Sequence, residues 1–212
     1  MTTQERYKGI IGWFAENMPS PKSELNYKNP FELLVAVMLS AQCTDKRVNI
    51  VTVKLFDELP TAECFAASSV EVIYEMIKSV TYPNNKSRSL YKMSHQLLDN
   101  FGGVIPSDVD ELQTLSGVGR KTANVVASVL YDKPVMAVDT HVFRVSQRIG
   151  LTTDAKTPLE TERQLIKHFP KSVIPKAHHW LILQGRYVCT ARNPKCEECG
   201  IRQWCKTGLP KG

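Results

Sequence analysis

The 212-residue sequence predicts an all-α fold, and three observations carry that prediction. Apolar residues recur at three- and four-residue spacing along most of the chain, Pro, Gly and Asn punctuate the pattern at short intervals, and no segment shows persuasive strand alternation. The stretch "VVASVL" invites a strand by its β-branched residues, yet Ala123, Val126, Ala127 and Leu130 keep helical spacing behind the start signal Gly119.

Taken in order, Tyr7, Ile10, Ile11 and Phe14 at i, i+3, i+4 and i+7 define an opening amphipathic helix that "NMPSP" stops. "PFELLVAVMLSA", residues 30 to 41, is apolar nearly all round with proline suited to its first turn, the pattern of a helix buried on every side. Further helices are expected over 45–57, 69–78, 86–100, 108–114, 120–131, 140–148, 158–168 and 176–188. "YDKPVMAVDTH" breaks the helical pattern, which places a domain boundary near residue 133.

Composition narrows the class. With 42% hydrophobic and 23% charged residues the chain is globular rather than disordered, and its apolar runs are too short to span a bilayer. "MTTQERYKGI" places acidic and polar residues where a signal peptide has its apolar core, so a soluble, cytosolic protein is expected. A net charge of +6 suits a polyanionic partner without establishing one. Cys43 and Cys64 stand alone, whereas Cys189, Cys196, Cys199 and Cys205 form C-x6-C-x2-C-x5-C, a metal-centre pattern in a reducing compartment. Spacing and ligand softness fit a four-thiolate zinc site as well as a [4Fe–4S] cluster.

The sharpest local signal is "LSGVGRKTANVV", residues 115 to 126. Two helices joined by so short a connection cross closely, and Gly117 and Gly119 permit angles and approaches that a Cβ obstructs. Around Val118, hairpin and helix start offer backbone N–H groups and a partial positive charge to a phosphate, and Arg120 adds a full one. An ordinary turn with two solvated basic residues is the competing reading. "AVDTHVFRV" then places Asp139 eighteen residues beyond Lys121, directly before another apolar-periodic helix, where aspartate is a favoured N-cap.

"LSGVGRKTANVV" resembles the helix-hairpin-helix of DNA glycosylases, whose familiar pattern is LPGVGRKTA; Ser116 stands at the proline and could loosen the turn. With "PFELLVAVMLSAQ", "AVDTH", "HHWLILQGRY" and the cysteine loop, nearly the whole chain resembles the endonuclease III family. The resemblance implies two helical lobes flanking a DNA-binding cleft. One is a six-helix bundle with the hairpin, residues 22–133; the other is a discontinuous iron–sulfur lobe, residues 1–21 and 134–212. It implies [4Fe–4S] on Cys189, Cys196, Cys199 and Cys205, a monomer, damaged or abasic duplex DNA as partner, and no membrane partner.

It also implies that Lys121 attacks the sugar carbon bearing a damaged pyrimidine, with Asp139 assisting. An ordinary lysine has a pKa of about 10.4, so only about one in a thousand is neutral near pH 7. Lowering that pKa by about three corresponds to about 4 kcal/mol, to which the helix N-terminus, Arg120 and desolvation contribute. Base removal then leaves an imine, and β-elimination cleaves the strand on the 3′ side. Gln42 and Tyr82 match the family's gap-filling positions, and Gly117, Val118, Gly119, Arg120 and His141 match its DNA contacts. "SVTYPNNKSRS" departs from the family at Thr81, Tyr82 and Pro83, where proline should stiffen the loop. Read in isolation, Gln42 is a buried helix residue, Tyr82 a loop surface aromatic and His141 a neighbour of a cap. Lys86 and Arg88 are expected to extend the basic face, and Arg186, Arg192, Lys195 and Lys206 surround the cysteines. A monofunctional mismatch adenine glycosylase, a non-catalytic helix-hairpin-helix module and an electron-transfer protein are the competing functions.

Overall fold

The computed structural model describes residues 1–208. Helices account for the ordered structure, and no strand occurs among the described residues. The chain divides into two compact units, Ser23–Tyr131 and a second made of Met1–Lys22 with the chain from Asp132 onward.

Unit Ser23–Tyr131 holds α2 (Pro30–Ser40), α3 (Asp45–Glu58), α4 (Ala62–Ala67), α5 (Val70–Ile77), α6 (Pro83–Phe101), α7 (Val109–Thr114) and α8 (Arg120–Tyr131). All residues from Phe31 to Leu39 are buried, so α2 is the central helix its all-round apolar pattern requires. Buried Glu32 is tolerable because its carboxylate accepts from the Lys28 N–H at 2.6 Å and the Asn29 side chain at 3.2 Å. Seven helices stand where six were expected, and α4 was not anticipated. It is a single capped turn, with Thr61 accepting from the Cys64 N–H and Phe65 buried edge-on to Phe31, too short for periodicity to reveal. Helix α6 starts earlier than expected because Pro83, read as a stiff loop residue, is its first residue.

The other unit holds α1 (Thr3–Asn17), α9 (Thr140–Ile149), α10 (Pro158–His168) and α11 (Ile174–Leu183), a π-helical turn at Gln184–Val188 and a 3-10 turn at Arg202–Trp204. Its core joins Tyr7, Ile10 and Phe14 to Val142, Val145, Leu165, Ile174, Trp180 and Leu181. Phe14 stacks on Trp180 with centroids 5.4 Å apart, and the Trp180 indole donates to the Met18 carbonyl at 2.7 Å. That α1 belongs here rather than with its sequence neighbours is decided by these contacts. The helix expected at 176–188 widens at Gln184, where Gly185 lets α9 approach. A Cβ there would lie 2.9 Å from His141 Cβ and 3.0 Å from Val145 Cγ2.

Candidate active site

The hairpin links α7 to α8 through residues 115–119. The Val118 N–H donates to the Leu115 carbonyl at 3.1 Å, closing the turn, and the Ala123 N–H donates to Gly119 at 2.9 Å, opening α8. The two glycines act differently. Gly117 has φ of +80°, and a Cβ on it would lie 2.7 Å from Ser89 Cβ and 3.0 Å from Met38 Cε. Both backbone and space demand glycine there. Gly119 has no neighbour within 4 Å of a would-be Cβ, so it leaves an open surface instead of relieving a crowded one. Val118 turns its side chain inward, only 5% exposed.

Ser116 tethers the turn where loosening was expected. Its N–H donates to Gln96 Oε1 at 2.7 Å, while Gln96 Nε2 donates to the Thr114 carbonyl at 3.3 Å. A proline at 116 has no N–H to give.

Beyond the turn, every residue from Thr122 to Ser128 is buried, whereas Arg120 and Lys121 are exposed. Lys121 therefore stands on the exposed first turn of a helix whose middle, Thr122 to Ser128, is buried.

The hairpin rests on Met38 in the last turn of α2 and Ser89 in the second turn of α6. Gln42 lies two residues past α2, and Tyr82 lies immediately before α6, so hairpin, Gln42 and Tyr82 share one end of this unit. Gln42 is an exposed residue outside the helix, not a buried one within it, and Tyr82 is 57% exposed. Lys86 does not extend a basic face. Its Nζ donates inward to the carbonyls of Leu39 at 2.8 Å and Ala41 at 2.7 Å, and desolvation lowers its pKa. Arg88 is exposed.

In the other unit, Asp139 is the N-cap of α9, its Oδ1 accepting from the Val142 N–H at 2.8 Å. Its approach is fixed by His178, buried to 1%, whose Nδ1 lies 2.9 Å from the Ala137 carbonyl. Half-buried His141 lies one turn along α9 from Arg144, with Nδ1 3.3 Å from Arg144 Nη2. Arg144 also donates to the carbonyls of Gly185 at 2.8 Å and Cys189 at 3.1 Å. Arg148, one turn further on, donates to the Thr190 and Ala191 carbonyls, each at 2.6 Å. The helix capped by Asp139 thereby holds the start of the cysteine loop.

Cys189, Cys196, Cys199 and Cys205 all line one cavity, with Ile149, Val188, Arg148, Gln184 and Lys195 among its walls, and none of the four is in a disulfide. Gln184 Nε2 donates to Cys199 Sγ at 3.2 Å, and the Gly208 N–H donates to Cys205 Sγ at 3.3 Å, bonds that suit thiolate sulfur. Burial is the main influence on Cys199 and pushes its thiol pKa up. Among the described residues no three His, Cys, Asp or Glu side chains group closely enough for one metal ion. Four thiols ringing one cavity fit a cluster, which takes one thiolate per iron. Sequence reading missed Arg144, Arg148, Gln184 and His178. The i, i+4 spacing of the two arginines was a usable signal, but their targets are carbonyls, which leave no trace in sequence.

Residues 35–171 match the HhH-GPD superfamily base excision DNA repair protein family, and residues 189–205 match the iron-sulfur binding domain of endonuclease III. The fold and these matches define a base excision DNA repair protein. Endonuclease III of Rickettsia felis is 47% identical over 93% of this chain and 92% of its own, and that of Bacillus subtilis 46% identical over 90% and 87%. A trapped endonuclease III–DNA covalent intermediate, an estranged-adenine complex, superposes with a TM-score of 0.91 at 43% identity, covering 98% of both chains. A thermostable thymine-DNA glycosylase at 20% identity, TM-score 0.86 over 97% of this chain and 98% of its own, shares the fold. The chain belongs to the endonuclease III family, DNA glycosylases with AP-lyase activity that carry a [4Fe–4S] cluster.

Proposed function

We propose that the chain removes oxidised pyrimidines from duplex DNA and cleaves the resulting abasic site, with Lys121 as nucleophile. The observation that carries this reading is the exposed lysine on the first turn of a helix with a buried middle, behind a hairpin that requires glycine at 117. Lys121 Nζ attacks the sugar carbon bearing the base, the carbon–nitrogen bond to the base breaks, and the base leaves with its electron pair and takes up a proton. The amine gives up a proton, its lone pair expels the sugar ring oxygen, which is protonated as the ring opens, and a protonated imine forms; loss of a proton from the adjacent sugar carbon then expels the 3′ phosphate. Asp139 supplies negative charge to the sugar as positive charge develops there.

Phosphate approaches the open surface at Gly119, beside the α8 terminus and Arg120, with Gly117 and inward-facing Val118 shaping the turn. Gln42 and Tyr82 fill the gap left by the extruded nucleotide, and His141 contacts the DNA backbone. Cys189, Cys196, Cys199 and Cys205 would hold the cluster, which when bound supplies four iron–thiolate bonds closing the loop. Residues 22–133 and 1–21 with 134–212 are read as the two domains, and the protein as a cytoplasmic monomer acting on the chromosome. Among the described residues no helix is long and apolar enough to cross a membrane.

Borohydride added to the pure protein with duplex DNA bearing one abasic site tests the reading. A covalent protein–DNA band that Lys121→Ala abolishes is expected. Tight binding without a band, with the cluster intact, would leave a monofunctional glycosylase or a binding module.

A further inference from the structure

Among the described residues, four other than glycine have positive φ: Gln42, Tyr82, Asp132 and Asp154. Aspartate tolerates the left-handed region through local hydrogen bonding, whereas glutamine and tyrosine have less reason to enter it. Gln42 (φ 54°) and Tyr82 (φ 56°, ψ 50°) are both exposed, and they are 40 residues apart in sequence. One hydrogen bond joins their turns directly: the Thr81 hydroxyl donates to the Gln42 carbonyl at 2.8 Å. Lys86, at the end of the first turn of α6, braces the same place from inside through the carbonyls of Leu39 and Ala41. Carbonyls at the end of α2, which a helix leaves without intrahelical donors, are thus met by side chains from the start of α6.

We propose that Thr81 is a positioning residue for base extrusion, its hydroxyl locking the Gln42 peptide so that Gln42 and Tyr82 form one preset wedge. This rests on the DNA-glycosylase reading above. An exposed turn with a left-handed glutamine relaxes toward commoner conformations unless its flanking carbonyl is held. A wedge ordered in advance loses less conformational freedom when it enters the stack, so the hydrogen bond favours extrusion in particular. A simple loop tether would instead affect all substrates alike.

The test measures single-turnover base release from an oxidised pyrimidine paired in a duplex and from the same base in an unpaired bubble. Thr81→Val keeps the β-branched shape and removes the donor. It should slow release from the duplex about 3- to 10-fold, the range spanned by one neutral hydrogen bond. In the bubble, where unstacking is already done, the loss should stay below about 2-fold. Thr81→Ser, which restores the hydroxyl, should return duplex release to within about 2-fold of the parent. Equal losses on both substrates, no loss on either, or no recovery with serine would overturn the proposal. A parent protein inactive on both substrates sinks the glycosylase reading itself, and this shows before any variant is made.

Discussion

The hairpin at 115–119 and the cysteine loop at 189–205 both place functional groups on irregular backbone, and they are held in opposite ways. The hairpin's own backbone bonds, at Val118 and Ala123, define it, and its one steric demand is the bare Cα of Gly117 against Ser89 and Met38. The cysteine loop is held mostly from outside. Arg148 grips Thr190 and Ala191, Arg144 grips Cys189, and Arg6 Nε donates to the Trp204 carbonyl at 2.8 Å. Two glycines interlock it with α1: a Cβ on Gly200 would fall inside the Trp13 indole, and one on Gly9 inside the Trp204 indole. A short turn between packed helices inherits rigidity from its flanks, whereas a long loop with little regular structure needs distant side chains and a metal centre.

The largest way to break this contrast is iron removal. Chelation should strip amide-exchange protection from the cysteine loop while leaving α8 protected, as read by hydrogen exchange; equal loss in both would mean the loop does not depend on metal. Next comes a glycine pair in the hairpin. Gly117→Ala should cost about 2–4 kcal/mol from its positive φ and the contact with Ser89. Gly119→Ala, facing open space, should change denaturant stability by less than about 0.5 kcal/mol yet weaken DNA binding.

The loop can then be loosened without touching a cysteine. Arg148→Met keeps the stem but leaves the Thr190 and Ala191 carbonyls without their donors. It should cost about 1–3 kcal/mol and speed cluster loss, followed by visible absorbance under chelator. The hairpin counterpart is smaller: Ser116→Pro removes the N–H given to Gln96 and should lower stability by about 1 kcal/mol, partly offset by a stiffer unfolded chain.

The smallest effect is one of pH. Burial lowers the pKa of His179 below its ordinary value, so the unfolded chain takes up that proton first as the solution is acidified. The neutral ring's contribution is complete above about pH 6.5 and is lost as pH falls through the folded value. His179→Gln should therefore flatten the acid side of the stability profile below about pH 6.5, and an unchanged slope would assign that slope to other groups.

Much of this was legible in one dimension. The all-round apolar run made α2 central, the G-V-G-R-K stretch put Lys121 at a helix start, and the cysteine spacing announced a metal centre, because periodicity, turn chemistry and ligand spacing are local. Asp139 was readable as a cap because capping involves only the next few residues.

Other features depended on partners far along the chain. Lys86 is written like any surface lysine, and only the fold shows its amine bound to carbonyls more than forty residues away. Ser116 looked like a defect until Gln96 stood opposite its N–H, and Gly117 and Gly119 looked equivalent until one was found crowded and the other open. The sequence by itself determined most of the helices, the place of Lys121 at a helix start and the cysteine set. Tertiary structure alone decided which carbonyl each long side chain grips and how much room each glycine has, because hydrogen-bond targets and free space depend on chain segments that meet only on folding.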